Sequence, residues 1–157
     1  MDGGGHAVGP GALNLLKLSV GSESVESLRE WQAVRSAERA ARGEDPRPRH
    51  VTRMWPRRAD EVLLGGSIYW VIQGLIRARQ PIEAFDEAVG HDGIRRCAIV
   101  MKPDLILVAP SRRRPFQGWR YLNGADAPSD LIGGGEADGD LPAELAAALS
   151  DIGVVPR

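Results

Sequence analysis

The stretch Ser67-Ile68-Tyr69-Trp70-Val71-Ile72-Gln73-Gly74-Leu75-Ile76 decides how this chain is read. β-Branched and aromatic side chains run through it almost without a polar break, as in a strand covered on both faces and therefore central in a sheet. Gly74 inside the run predicts a bulge or bend. On the N-terminal side, Pro56 suits the first position of a short helix over 57–64, and Gly65-Gly66 supply a left-handed stop. On the C-terminal side, Pro81 predicts an interruption before 82–89, a segment that reads equally as helix or strand.

Further out, Leu16, Leu18 and Val20 alternate with Lys17 and Ser19, which predicts a half-buried strand over 13–20 that ends at Gly21. Ser22 or Ser24 can cap a helix reaching about Arg42, with Leu28, Trp31, Val34, Ala37 and Ala41 on one arc and Gly43 as its stop. Pro46 and Pro48 make 44–48 a connection before a short strand over 50–54. Beyond the turn His91-Asp92-Gly93, the runs 94–101 and 105–109 flank Lys102-Pro103-Asp104 and predict an antiparallel hairpin. Pro142 can open a last helix, in which Leu145 and Leu149 share a face.

These elements predict an α+β domain: a mainly antiparallel sheet of about five strands that could curl into a partly open barrel, with two or three helices packed on it. Residues 1–12 read as a flexible leader, 13–124 as the single domain, 125–140 as a mobile acidic Gly-rich loop, and 141–157 as a C-terminal helix docking on the body. A length of 157 residues, with 43% hydrophobic and 26% charged content, fits one globular domain and excludes wholesale disorder. The apolar runs fall far short of the ~20 residues that span a bilayer. The N-terminus lacks the basic opening and apolar core of a signal peptide, and the lone Cys97 allows no intrachain disulfide, so a reducing cytoplasm is the expected setting. Cys97 itself reads as a buried filler.

The net charge of -1 conceals a strong asymmetry. Residues 47–120 carry fourteen Lys/Arg against seven Asp/Glu, and 121–157 carry one against seven. The middle therefore expects an anionic partner, or an acidic C-terminal stretch folded back to screen it. Eighteen of the twenty basic residues are Arg, whose planar fork grips phosphate or carboxylate.

Phosphate-loop, zincin and nucleophile-elbow spacings are absent, and the scattered His6, His50, His91 and Cys97 suggest neither a metal nor a cofactor. Three segments stand out instead. His50-Val51-Thr52-Arg53-Met54-Trp55-Pro56-Arg57-Arg58 sets Arg53, Arg57, Arg58 and Trp55 at a strand-to-helix junction, where free amides of a first helical turn would favour an anion. The alternative keeps Trp55 in the core and pairs these arginines with Asp60, Glu61 or the acidic tail. Arg112-Arg113-Arg114-Pro115-Phe116-Gln117-Gly118-Trp119-Arg120-Tyr121 interleaves guanidiniums with stacking planes, as single-stranded nucleic acid requires, although a solvated basic turn would look the same. Arg77 and Arg79 could extend that surface, and Gln80 could read a base edge or an amide, although a plain turn residue before Pro81 is the favoured reading.

Four motifs taken together, His-Val-Thr-Arg-Met-Trp-Pro-Arg-Arg-Ala-Asp-Glu at 50–61, Gly-Gly-Ser-Ile-Tyr-Trp-Val-Ile at 65–72, Ala-Arg-Gln at 78–80 and Arg-Arg-Pro-Phe-Gln-Gly-Trp-Arg-Tyr-Leu at 113–122, resemble the small bacterial family called domain of unknown function 1489, typical of alpha-proteobacteria. That resemblance runs from about Leu13 into the C-terminal helix. It implies a single intracellular domain and no particular activity. The order of short helix, Gly-Gly turn, hydrophobic strand and basic strands also resembles RNA-binding barrels of the PUA and ASCH type. This second resemblance implies RNA or a modified base as ligand.

The leading expectation is a binding module for RNA, single-stranded nucleic acid or a nucleotide. One alternative is a small enzyme that clamps an anionic substrate by Arg beside His50 as base and Tyr69 as donor, with Asp60 or Glu61 orienting. Another is an adaptor that meets a protein partner through Trp119 and the C-terminal helix.

Overall fold

The structure is a computed structural model and describes residues 12–131. The elements follow as β1 (Leu13–Leu18), α1 (Val25–Ala41), β2 (Arg49–Thr52), α2 (Ala59–Val62), β3 (Ser67–Ile72), β4 (Leu75–Val89), β5 (Arg95–Met101), β6 (Ile106–Arg112) and β7 (Trp119–Asn123). Among the described residues the fold is α+β, with a seven-stranded, mostly antiparallel sheet in which only β1 and β3 run parallel. Strand order is β2-β5-β4-β3-β1-β7, with β6 also on β4, and the sheet does not close into a barrel. The count therefore exceeds the expected five, and the two described helices match the lower expectation; the third falls outside the described residues.

One extra strand is β7, in the stretch read as an arginine-rich segment, and the other comes from a connection inside 67–76. Ser67 to Ile76 is two strands: Gln73 (φ 51) and Gly74 (φ 82) both take positive φ and turn the chain back, so that Ile72 faces Leu75. A two-residue loop with both φ values positive matches the twist of its strands. Every residue of β3 is buried, which explains why apolar composition runs straight through the turn.

Pro81, in turn, interrupts nothing, since β4 continues to Val89. Neighbouring residues of a strand aim their backbone groups to opposite sides. Ile82 N–H reaches the Gly66 carbonyl beside β3, while the Pro81 carbonyl accepts from Lys102 N–H on the other side. The missing proline donor thus falls at the gap between β5 and β6. These two strands form no hairpin: β5 pairs with 82–89 of β4, β6 with 75–79, and they lie end to end along one edge.

Helix α1 begins where Ser24 accepts from Ser27 N–H while the Ser27 hydroxyl accepts from Ser24 N–H, a reciprocal cap. It stops at Gly43 (φ 74). Val25 and Leu28 of α1 and Val62 of α2 join Leu15, Ile68, Trp70, Ala78, Ile99 and Met101 in the main core. The other face carries a smaller core of Leu16, Tyr69, Val71, Ile76, Val108 and Leu122. The buried stripe of α1 ends at Gln32, so Trp31 (52% exposed) and Val34, expected to pack inward, face solvent instead. Helix α2 is shorter than expected and starts at Ala59, three residues after Pro56.

Two polar clusters are buried. Gln80 is no turn residue: its Oε1 accepts from Trp70 Nε1 and from Gln32 Nε2, both at 3.0 Å, and its Nε2 donates to Gln32 Oε1 and to the Lys102 carbonyl, both at 2.8 Å. On the opposite face the Arg79 guanidinium is 5% exposed and donates to both Asp130 carboxylate oxygens (2.7 and 2.8 Å) and to Ser67 Oγ. Ser129 and Leu131 pair with Ala109 and Leu107, so the start of the segment read as a mobile loop is tied to β6. Cys97 is buried, and its thiol is pushed up to about 11 by burial and then by Asp86. No described helix is long and apolar enough to cross a membrane.

Candidate functional site

The exposed flank of α1 and the edge strand β2 leave a groove between them. Trp31, Arg35, Arg39 and Arg42 recur at helical spacing and line one side, and Pro48, Arg49, His50 and Val51 line the other. This outer section holds about 550 Å³. Arg39 fixes its width, donating to the carbonyls of Asp45 (3.1 Å), Pro46 (3.5 Å) and Arg47 (2.8 Å) in the chain returning from α1 to β2. Past Gln32 and His50 the groove deepens into an inner chamber of about 250 Å³. Its floor is Leu28, Trp70 and Met101 from the main core, and its rim is Lys17 and the turn 18–22 after β1.

Among the described residues five cations line these two sections, Lys17, Arg35, Arg39, Arg42 and Arg49, against one acid, Glu38. Arg42 is bonded to Glu44 (3.1 Å), and Arg35 lies 3.9 Å from Glu38 with its guanidinium 5.0 Å from the Trp31 ring centre. Burial, and after it the neighbouring Arg49 and Arg35, hold Arg39 below the ordinary guanidinium value. Burial likewise lowers Lys17. His50 packs edge-on against Trp70 with ring centres 5.6 Å apart. Burial, then Lys17, pushes its imidazole down to about 4, so it is neutral at pH 7. The result is a positive groove with one exposed indole beside it and a neutral ring in its depth. Such a surface suits a ligand that carries both phosphate and an aromatic plane.

Sequence comparison gives the chain its place. The model of a family described as Protein of unknown function (DUF1489) matches residues 15–155. The chain belongs to the DUF1489 family. No curated protein and no solved structure matches it.

In this DUF1489 protein the residues singled out in the sequence are dispersed. His50 contacts Trp70 on the α1 face, whereas Tyr69 belongs to the core on the other face, because adjacent strand residues alternate. Asp60 and Glu61 sit on α2, whose Val62 carbonyl, like that of Leu13, crowds Gly66 at the start of β1, while His50 borders Lys17 at its far end. The acid-base set of His50, Tyr69, Asp60 and Glu61 is therefore not assembled.

At the junction at 53–58, Arg58 is already engaged. Arg58 N–H donates to the Tyr121 hydroxyl (2.9 Å), and the Arg58 guanidinium grips Glu61 (2.7 and 2.9 Å) and stacks on Tyr121. Trp55 is 39% exposed rather than core, and Arg53 and Arg57 stand in solvent. Trp119 donates its ring N–H to the Met54 carbonyl (2.9 Å) and meets Tyr121 edge-on, so these aromatics brace the junction.

Along the remaining stretch, Arg120 covers Phe116, and Arg113 bonds to Ser111 and the Arg112 carbonyl. Arg114 and Gln117 are exposed. Arg77 occupies the bulge of β4, Arg112 lies opposite Leu75, and Arg79 is consumed by Asp130. Sequence reading missed Lys17, Trp31, Gln32, Arg35, Arg39, Arg42 and Arg49 as a group. A signal existed: Arg35 and Arg42 fall between Trp31 and Leu28 on the helix, inside the arc read as apolar, with Arg39 at its border, so that part of the arc could not all be core.

Proposed function

We propose that this DUF1489 protein is a binding module for single-stranded nucleic acid or a nucleotide, and that the ligand lies in the groove between α1 and β2. The observation that carries this reading is the groove itself, with five cations, one acid and the half-exposed Trp31 on its wall. Guanidiniums contact phosphates, and a base stacks on the indole beside Arg35. Catalysis is disfavoured, because the candidate partners of His50 lie on another face or at the far end of β1.

The test is fluorescence anisotropy with a labelled single-stranded RNA across a salt series, with Trp emission followed in parallel. The expected result is steeply salt-dependent binding with Trp quenching. Replacing Arg35 and Arg49 together by Ala should weaken it and flatten the salt slope by about two phosphates, ~0.7 log units each. Salt-insensitive binding, or a double variant that binds like the parent, would remove the groove as the site.

A further inference from the structure

Charge and hydrogen-bonding capacity are divided along the groove. Arg49 and His50 are neighbours on β2, so their side chains leave the strand on opposite sides. Arg49 borders both sections, but its charge acts outward, on Arg39, Glu44 and Asp45. His50 turns instead to Trp70 and the inner chamber. Lys17 stands at the rim of that chamber with its ammonium on the Leu18 carbonyl at 3.2 Å, and among the described residues no acid lines it. Its depth is formed by His50, Gln32 and Trp70 beside Leu28 and Met101, and it opens both to the outer section and at the exposed Val20-Gly21 turn.

Two of these groups have hydrogen bonds to spare. The His50 ring has no hydrogen-bond partner among the described residues, where no fully buried polar side-chain atom is left unpaired, so its nitrogens are open to the groove. A neutral imidazole offers one donor and one acceptor. Gln32 is nearly buried, and its orientation is forced. Trp70 Nε1 can only donate and the Lys102 carbonyl can only accept, which fixes the two ends of the Gln80 amide, and Gln80 in turn fixes those of Gln32. Gln80 is then saturated, whereas Gln32 keeps one N–H and one oxygen lone pair unused.

We propose that the inner chamber is a base-reading subsite, in which a nucleobase enters past Trp31 and presents its polar edge to the His50 imidazole and the fixed Gln32 carboxamide, so that the groove prefers one base over the others. A nucleobase is flat, uncharged and edged with donors and acceptors, and single-stranded nucleic acid is read by such splayed bases. The chamber answers with an apolar floor, aromatic walls and two uncharged hydrogen-bonding groups, while the guanidiniums that suit phosphates stand outside it. Its volume of about 250 Å³ lies below the ~300 Å³ at which pockets begin to enclose drug-sized ligands, so it admits one ring system. The opening at Val20-Gly21 means that the base need not be a terminal one. That phosphates of the same ligand lie on Arg35, Arg39 and Arg49 rests on the function proposed above; the base subsite does not.

The experiment uses the full chain and five short oligonucleotides that carry one central adenine, cytosine, guanine, uracil or no base between abasic residues, with the four free nucleosides as uncharged probes. Oligonucleotide binding is followed by anisotropy, and nucleoside binding by the NMR resonances of the Trp70 indole N–H and the Met101 methyl. The best and the worst base should differ by about tenfold, the scale of a good base-edge contact. His50→Phe keeps a ring against Trp70 but has no donor or acceptor, and should shrink that spread without changing affinity for the abasic strand. His50→Gln, which returns a donor and an acceptor, should restore a spread and so separate lost reading from a lost fold. Equal affinity for all five strands, weakened by replacing Arg35 and Arg49 by Ala, overturns the subsite and leaves the groove reading standing. If no oligonucleotide binds but one nucleoside shifts Trp70 and Met101 in the parent and not in His50→Phe, the subsite stands and the nucleic-acid reading falls. No response to strands or nucleosides overturns both.

Discussion

Residues 112–121 and the α1–β2 groove are both rich in arginine, yet they treat charge in opposite ways. In the first region Arg113 is bonded to its neighbours, Arg120 lies over Phe116, and Arg114 stands in open solvent. In the groove, half-buried Lys17 has no acid beside it among the described residues, and half-buried Arg49 has Glu44 and Asp45 nearby only as acids already bonded to Arg42 and Arg47. A cation in open water keeps its hydration and gains little from an anion, while one that has lost water without gaining a counter-charge gains a great deal. Density of charge along the chain is therefore a poorer guide to a site than the balance between burial and compensation.

A third cation sets the scale of that balance. Arg79 is buried as completely as the core, but Asp130 and Ser67 compensate it. Asp130→Ala should leave the guanidinium stranded and lower stability by about 3 kcal/mol or more, read as a fall in the urea midpoint. A loss below about 1 kcal/mol would show that this protein tolerates uncompensated buried charge, and the contrast between the two regions would lose its basis.

A somewhat smaller effect is expected at His50. Its imidazole titrates at about 4 in the fold and near the ordinary 6.5 when unfolded, so between those values only the unfolded chain takes up the proton. Stability should then fall as pH drops from about 6.5 to about 4, by at most ~3 kcal/mol and by less to the extent that the ring meets water. The comparison is with His50→Gln, in which that part of the pH dependence should vanish. The smallest effect belongs to the arginine-rich stretch. Arg113→Ala with Arg114→Ala should change RNA affinity by less than about twofold, the scale of exposed charges. A loss as large as in the Arg35→Ala, Arg49→Ala pair would move the site out of the groove.

The legible parts of this molecule were local. Ser24 and Gly43 mark the ends of α1 through capping and left-handed geometry, which depend on a few adjacent residues. The turn at Gln73-Gly74 was hidden because glutamine is an unusual residue at positive φ and because both flanking strands are buried, leaving no change of pattern at the bend. Lys102-Pro103-Asp104 carries the local chemistry of a turn, yet which strands it joins is decided by β4, whose length lets β5 and β6 share one edge. The candidate site suffered from the same limit. Lys17, Trp31 and Arg49 meet only when β1, α1 and β2 are assembled, and the sequence density that drew attention to 112–121 says nothing of which guanidiniums find partners.

The position of β1 has a consequence during synthesis. It is the first of the described strands to be made, and its two neighbours, β3 and β7, come from the middle and from near the end of the described chain. Until they leave the ribosome, both backbone edges of Leu13–Leu18 lack their final partners, and an open edge is a template for pairing with another chain. The turn at Gln73-Gly74 lets β3 and β4 meet over the shortest loop the chain can close, so they can wait as a ready platform. The first strand is then received on one side before β7 seals the other.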